Sequence, residues 1–387
     1  MFLQYLLWIQ RALLIAIGFS LPISTALPNL LFGLLLITTI LHFGLSFPKI
    51  PISITKNPII WSSFSLLALM IIGSFYSAAS YEAIIDNLKQ YKEFLLIPLF
   101  LYGFQDQIAR AWGFKVFLAA MGLTLALSIF VALTNHSLFG LIHGDASNAF
   151  VFKNHITQGL LIVMSAYFVA VLAYQKRIWW PMVIVGLAIY DVIFLTQGRT
   201  GYLILACLIV LFSWQVLRWR GFLIGSLAVM ILGITTYYTS SNLQHRVDKV
   251  IAGLKHQAAE TDSIQLRLNF YKHSWQLWQQ QPIIGSGTGS FTQRYAVQEP
   301  SHPTSNPHSE YLMMAVQWGI LGLGVFLWFL YQLWYLGLKL PKPQMAQGLF
   351  ATIVVGCLVN SLFLDFTEGH VFAYLIGIFY SDERLYN

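Results

Sequence analysis

Three side chains of the 387-residue chain have the types and positions that anion binding and proton transfer require. Arg199 lies in the stretch LTQGRTGYL between two apolar runs, Arg267 lies in a long polar segment, and His308 stands just before another apolar run. A guanidinium presents a planar fork of N–H donors that fits phosphate oxygens, and a neutral imidazole accepts a proton near neutral pH. Together they predict an anion site with a proton acceptor beside it.

The stretch NPHSEYL predicts a helix start around His308. Asn306 is a favourable N-cap residue and Pro307 is favoured at the first helical position, so His308 is expected in the first turn. The positive end of the helix dipole would disfavour the imidazolium there, which lowers the pKa of His308 and keeps the ring neutral. A capping or interfacial polar residue remains the alternative.

The two arginines also have plainer interpretations. Arg199 lies in a turn too short to need a charge for solubility, and the glycines beside it would let a ligand approach the backbone. An interfacial arginine that extends toward the headgroups is the alternative. Arg267 has Tyr271 and Ser274 on the same side of a predicted helix, where a solvated helix face is the alternative.

The composition predicts the elements that must position these side chains. The chain is 57% hydrophobic and 16% aromatic, but only 10% of its residues are charged. Soluble domains carry about 25% charged residues, and runs of roughly 20 apolar residues indicate membrane spans. The sequence therefore predicts an all-α polytopic membrane protein. The net charge of +7 is interpreted as loop charge that sets topology, and no nucleic-acid partner is expected.

Apolar windows predict about twelve transmembrane helices: residues 4–25, 28–46, 58–78, 93–105, 112–133, 155–174, 179–196, 200–217, 221–238, 308–337, 345–364 and 370–381. The loops and tail on the side of the N-terminus hold eleven lysines and arginines and the short loops on the other side hold four, which predicts that both termini are cytoplasmic. The chain then divides into an N-terminal bundle of about nine spans (1–238), a periplasmic loop (239–307) and about three C-terminal spans (308–387).

The long loop is predicted to be ordered. A helix is expected near residues 262–280, with Leu268, Tyr271, Trp275 and Trp278 as an apolar stripe against the membrane or the spans and Thr261 or Asp262 as its cap. The stretch GSGTGSF that follows is expected to be flexible, with an exposed backbone.

The remaining charged and metal-ligating residues have weaker patterns. Arg11 and Asp191 lie inside apolar runs and are expected to pair with each other or with polar neighbours. Lys89, Lys92 and Glu93 are expected to contact lipid headgroups. The stretch DFTEGH resembles a metal site only weakly, and the absence of an Asp-x-Asp motif argues against a metal-assisted transferase, so no metal and no cofactor are predicted.

The order of the motifs resembles the O-antigen ligase and polymerase superfamily. The motifs are QGRTGYL, RLNFY, PIIGSGTGSF and PHSEYL followed by GILGLG, and they cover mainly residues 150–335. Ser309 is a departure, because members of the family often have asparagine after the histidine.

The resemblance implies an inverting, metal-independent glycosyl transfer at the periplasmic face of the bacterial inner membrane. The donor would be a glycan on undecaprenyl pyrophosphate, and in the ligase branch of lipopolysaccharide biosynthesis the acceptor would be a sugar hydroxyl of the lipid A core. Arg199 and Arg267 would hold the pyrophosphate, and His308 would orient or deprotonate the acceptor. The substrate-binding residues are predicted to include Arg199, Arg267, Tyr271, Gly285, Gly287, Asn306, Ser309 and Lys92.

Two alternatives remain open from the sequence. A polymerase or a protein O-oligosaccharyltransferase would share these residues and differ in the acceptor. A transporter of a lipid-linked substrate would be expected to carry charges deep in the spans, whereas the candidate residues of this chain cluster at one face.

Overall fold

The computed structural model describes residues 2–46, 52–136, 144–196, 198–239, 244 and 263–382. The regular elements in these ranges are helices, with one isolated bridge between Asp145 and Asn148. The first ten helices are α1 (Phe2–Ile23), α2 (Ala26–Ser46), α3 (Ile52–Thr55), α4 (Pro58–Tyr76), α5 (Tyr81–Gln90), α6 (Glu93–Gly103), α7 (Gln107–Thr134), α8 (His155–Lys176), α9 (Met182–Tyr190) and α10 (Arg199–Thr239). They are followed by α11 (Ser263–Gln280), α12 (Phe291–Gln298), α13 (Glu310–Lys339), α14 (Gln344–Val359) and α15 (Phe366–Tyr380).

Seven of these helices are long and apolar enough to cross a membrane: α1, α2, α4, α7, α8, α10 and α13. The helix α10 contains a kink at Arg218, whose φ of 57° is not helical, and its two halves correspond to two of the predicted spans. The other predicted spans coincide with α6, with α9 and the π-helical turn Asp191–Leu195 that extends it, and with α14 and α15. The prediction of an all-α polytopic membrane protein is confirmed.

Polar groups inside the bundle have partners close in space. Arg11 forms an ion pair with Asp106 at 2.7 Å, while Ser128 donates a hydrogen bond to Asp191. The prediction that these two charged residues have polar partners is therefore confirmed, but the option that they pair with each other is wrong. Arg11 pairs with the residue that caps α7, whereas Asp191 has a partner for Oδ1 and none for Oδ2 in the described part of the chain.

One end of the bundle gathers the ends of several helices. The helices α4 and α14 end there, and α8, α10, α13 and α15 begin there. The antiparallel packing of α10 and α14 fixes this register, because the side chain of Ile204 lies over Gly356. We call this end of the bundle the site end, since Arg199, Arg267 and His308 all lie on it.

Two helices of the long loop cover the site end. The predicted helix near 262–280 is present as α11, although Thr261 and Asp262 lie outside the described residues. Ser274 and Leu277 of α11 are buried, whereas Leu268 and Trp275 of the predicted apolar stripe are exposed. The second helix, α12, has no counterpart in the prediction, and its Tyr295 packs edge-on against Phe270.

Candidate active site

His308 does not lie in a helix. The helix α13 begins at Glu310 with Ser309 as its N-cap residue, and His308 has a φ of 55° in the left-handed region. The prediction that Asn306 caps this helix is wrong, because its Oδ1 accepts a hydrogen bond from the backbone N–H of His308 at 2.7 Å and closes a turn. A non-glycine residue in this region costs of order 1–3 kcal/mol and is frequent at functional sites.

The imidazole of His308 is held between two elements. It stacks on Phe270 of α11 with a ring separation of 5.8 Å, and its Nδ1 lies 3.3 Å from Oδ1 of Asn360, just after α14. Asn360 in turn donates from Nδ2 to the Asp365 carboxylate at 3.1 Å. Because the amide donates through Nδ2, it presents an acceptor to His308, so Nδ1 carries the proton and Nε2 keeps a free lone pair.

The electrostatic environment favours the neutral ring. Burial and the nearby Arg267 lower the pKa of His308, and the hydrogen bond to Asn360 offsets part of this effect. The predicted direction is therefore confirmed, but its cause is burial beside a guanidinium and not a place in the first turn of a helix. A neutral imidazole with an available Nε2 is suited to remove a proton from a hydroxyl.

Arg267 and Tyr271 lie one turn apart on α11, and both are half-buried. The hydroxyl of Tyr271 is within hydrogen-bond distance of the His308 carbonyl at 3.1 Å and of the Leu358 carbonyl at 3.2 Å. These contacts tie α11 to the segment before α13 and to the end of α14. The amphipathic helix thus brings a cation, an aromatic ring and a hydroxyl to the histidine.

Arg199 is the first residue of α10 and is half-buried at the site end. Gly198 before it packs so closely on α8 that a Cβ atom there would lie 2.8 Å from the His155 carbonyl oxygen. The starts of α8 and α10 are therefore adjacent, and helix starts carry a partial positive charge that favours anions. Arg199 thus lies at the site end as the first residue of α10, while Arg267 of α11 lies beside His308.

Two lysines add positive charge to the same end. Lys92, at the start of α6, donates to Asn29 at 2.6 Å and lies 4.8 Å above the Phe366 ring. Lys153 precedes the N-cap of α8, is 8% exposed, and its Nζ has no hydrogen-bond partner among the described residues. Burial lowers the pKa of Lys153 to about 8, and Glu368 opposes the shift. Sequence reasoning missed Lys153, although a lysine directly before an Asn N-cap was visible in the stretch FKNHIT.

The glycine-rich segment 285–290 does not have the predicted flexibility. Its residues are buried, so the expectation of a flexible, exposed backbone is wrong. The N–H groups of Ser286 and Gly287 donate to carbonyl groups of α13, and that of Thr288 donates to Gly73 of α4. Gly285 and Gly287 have φ values of 69° and 90°, and side chains there would collide with neighbouring backbone. These two glycines therefore serve helix packing, and the structure does not bring them to His308.

Three further residues lie in protein packing. Ser309 is 5% exposed, and its Oγ lies 3.4 Å from the Cys357 carbonyl, so it links α13 to α14. Glu93 is fully buried beneath Gly369, so the predicted headgroup contact is wrong for this residue. Glu368 of the DFTEGH stretch accepts a hydrogen bond from Thr157 at 2.6 Å.

Asn360 and Asp365 were not recognised as partners of the histidine in the sequence. Both follow α14, more than fifty residues after His308, in a short connection that lacks a motif. The only available signal was the polar cluster between two apolar runs, and its carboxylates and histidine directed attention to a metal.

Comparison with known proteins supports the interpretation of this site. Residues 190–327 match the family model described as O-antigen ligase, a range that contains Arg199, Arg267 and His308. Members of this family are membrane enzymes of the glycosyltransferase type. No curated protein matches the chain. The match over residues 190–327 supports placing this multi-pass membrane protein with the O-antigen ligase superfamily.

Proposed function

We propose that the protein is an O-antigen ligase that moves a glycan from undecaprenyl pyrophosphate to a sugar hydroxyl of a lipid A core. The main observation in support is the setting of His308, since burial and Arg267 lower its pKa and its Nδ1 faces Oδ1 of Asn360. A ligase of this type needs a proton acceptor for the incoming hydroxyl and positive charge for the departing pyrophosphate. The family match supports the same class of reaction.

The proposed reaction is a single displacement. Nε2 of His308 removes the proton of the acceptor hydroxyl while its oxygen attacks the anomeric carbon of the donor. The bond from that carbon to the pyrophosphate oxygen breaks on the opposite side, which inverts the configuration. Undecaprenyl pyrophosphate leaves with the electron pair, and the proton remains on His308 until solvent removes it.

In this reaction the cations act on the leaving group. Arg267 lies beside His308, while Arg199 reaches the site end from α10, and both guanidiniums can bind phosphate oxygens with two parallel hydrogen bonds. Charge stabilisation in a site that excludes water is worth several kcal/mol of barrier. Two arginines can thus do what a divalent cation does in metal-assisted transferases, so the proposed reaction is metal-independent.

We place the site end on the periplasmic side of the bacterial inner membrane. Among the short connections, those at the opposite end hold more lysines and arginines than those at the site end, a bias that marks cytoplasmic loops. Both termini would then be cytoplasmic. Donor and acceptor are both lipid-linked, and a site at the end of the helices allows both to enter from the bilayer.

A polymerase that extends the glycan, or a protein O-oligosaccharyltransferase, would use the same base and cations. The acceptor therefore decides between the candidates. We propose reconstitution of the purified protein with undecaprenyl-pyrophosphate-linked glycan, with lipid A core, undecaprenyl-linked repeat units and an acceptor protein in competition. Product on the core supports the ligase. Longer glycan on undecaprenyl would indicate a polymerase instead, and glycan on the acceptor protein would indicate a protein O-oligosaccharyltransferase.

The same assay tests the roles of the arginines and of metal ions. Arg199→Ala and Arg267→Ala should each reduce transfer strongly, and wild-type activity in both would remove the pyrophosphate role. A chelator should leave transfer unchanged; inhibition that a divalent ion reverses would contradict metal independence. A protein that moves intact lipid-linked glycan across vesicles without forming a new glycosidic bond would be a transporter.

A further inference from the structure

One cavity at the site end lies away from His308. It has a volume of about 670 Å³ and lies between α11, α12 and the end of α4. Small-molecule sites commonly measure about 300–1,000 Å³. Gln280, at the far end of α11, lines the cavity and is thirteen residues after Arg267, which corresponds to about 20 Å along the helix. The cavity is therefore separate from the reacting groups and is connected to them by one continuous helix.

The polar wall of the cavity consists of amides in fixed orientations. Arg294 donates to Gln281 at 2.7 Å and to Gln280 at 2.6 Å. Gln280 then donates to Gln298 at 3.4 Å, and Gln298 donates to Gln276 at 2.7 Å. Because Gln280 and Gln298 each use the amide oxygen and one amide N–H in this chain, the directions of their remaining donors and lone pairs are set before a ligand binds.

Other groups of the wall are free to bind. The side chain of Gln293 is exposed and makes no hydrogen bond with the described part of the chain, and the Nε2 group of Gln281 also has no such partner. Tyr76 and Ile284 form an apolar side, fixed by a hydrogen bond of 2.6 Å from the tyrosine hydroxyl to the Ile284 carbonyl. Among the described residues that line the cavity, Arg294 is the only charged one.

This combination selects a class of ligand. Side-chain amides both donate to and accept from hydroxyl groups, while an apolar wall covers the C–H face of a sugar ring. One arginine tolerates a single carboxylate or phosphate on the ligand but does not require it. The cavity is wide enough for more than one ring, and its glutamine and arginine side chains offer hydrogen bonds that an acyl chain cannot form.

We infer that this cavity binds sugar residues of a glycan substrate, several residues away from the bond that is made or broken. The inference rests on the proposed glycosyl transfer, because that reaction brings oligosaccharides to the site end. The occupant is a saccharide, and it comes either from the donor glycan or from the acceptor oligosaccharide. Binding here would hold a long chain in place while its reacting end lies beside Arg267 and His308.

The test uses the full chain purified in detergent and a variant that fills the cavity. Gln293→Trp alters an exposed side chain that makes no hydrogen bond in the described structure, so the fold should be retained. Gln279→Trp is the matched control, because Gln279 is an exposed glutamine of α11 that does not line the cavity. Arg294→Ala removes the residue that orients the amides.

Binding is measured first by saturation-transfer NMR, with two probes: delipidated glycan released from the donor, and free core oligosaccharide. One probe should bind the wild type and the Gln279→Trp control equally, and bind Gln293→Trp and Arg294→Ala about tenfold more weakly. The probe that shows this loss identifies the source. Equal binding of both probes by all four proteins would overturn the inference. Anionic phospholipid micelles serve as a third, comparison probe. If Gln293→Trp and Arg294→Ala lose binding only to these micelles, the cavity binds a lipid headgroup and the inference is wrong.

Transfer with donors of different length separates this inference from the proposed function. For a donor that carries one sugar, Gln293→Trp should have the KM of the wild type. For a donor or acceptor with several sugars, its KM should rise about tenfold while kcat changes little. Sugar binding without any transfer would contradict the proposed function alone, whereas transfer with no dependence on length or variant would contradict the saccharide site alone.

Discussion

Two short non-helical segments border α13, and they use the same backbone conformation for different purposes. In the segment 285–290 the positive φ values belong to glycines, the backbone is buried, and its N–H groups bond to α4 and α13. In the segment 306–309 the positive φ belongs to His308, whose side chain remains partly accessible. Glycine adopts this conformation without strain, but histidine does not. A strained histidine beside a cation indicates that the ring itself is needed, whereas the glycines indicate a need for close packing.

The largest effect is expected when the ring is removed. His308→Gly should reduce transfer by about 10²–10⁴-fold, the usual contribution of a general base. The thermal midpoint should stay close to that of the wild type, because glycine relieves the backbone strain while the contact with Phe270 is lost. Activity is measured in the reconstituted assay and stability by thermal unfolding in detergent. Full activity of this variant would show that His308 is a structural residue, and the segments 306–309 and 285–290 would then not differ in purpose.

The opposite result is expected in the glycine segment. A Cβ atom at Gly287 would lie 2.5 Å from Ser77 Cα and 2.8 Å from the Gly73 carbonyl oxygen, so Gly287→Ala should destabilise the protein by about 2–4 kcal/mol. Gly186→Ala is the control, because nothing lies within 4 Å of that position in α9. The measurement is again thermal unfolding, with activity per folded molecule. A stable Gly287→Ala protein with impaired transfer would indicate that Gly287 takes part in substrate binding.

A smaller effect is expected at Asn360, which acts through the histidine. Asn360→Ala should lower kcat about tenfold, which corresponds to ~1.4 kcal/mol, and leave KM nearly unchanged. Asn360→Asp keeps an acceptor for Nδ1 but adds a negative charge, which raises the pKa of His308. Its activity should therefore recover as the pH is raised. Equal losses at all pH values in both variants would indicate that Asn360 only supports packing.

The smallest effect concerns the pH profile. The reaction requires neutral His308, and burial and Arg267 lower its pKa, so wild-type activity should fall only as the pH drops below about 6.5. Removing the charge in Arg267→Gln should move this acid limb to higher pH, because the guanidinium no longer disfavours the imidazolium. Rates are normalised to the maximum of each variant. An unchanged acid limb would show that the two side chains do not interact electrostatically in the working enzyme.

Much of the fold was predictable because apolar runs and helical periodicity are local features of the sequence. Apolar runs predicted the spans, including α6 and α15, which are short, and the period of α11 predicted a helix over most of its length. The second loop helix α12 was missed because its eight residues, FTQRYAVQ, have no long apolar period. The burial of the glycine segment was also missed, since glycines and serines look the same in a flexible loop as in a tightly packed one.

The sequence by itself determined the class of the protein and the identity of its three candidate catalytic side chains. Runs of about 20 apolar residues specify spans wherever they occur, and residue types limit which groups can bind phosphate or accept a proton. Only the tertiary structure decided that His308 lies before its helix, that Asn360 and Asp365 orient it, and that α12 encloses a cavity with α11. These contacts join residues far apart in the chain, so they depend on how helices pack and not on any local pattern.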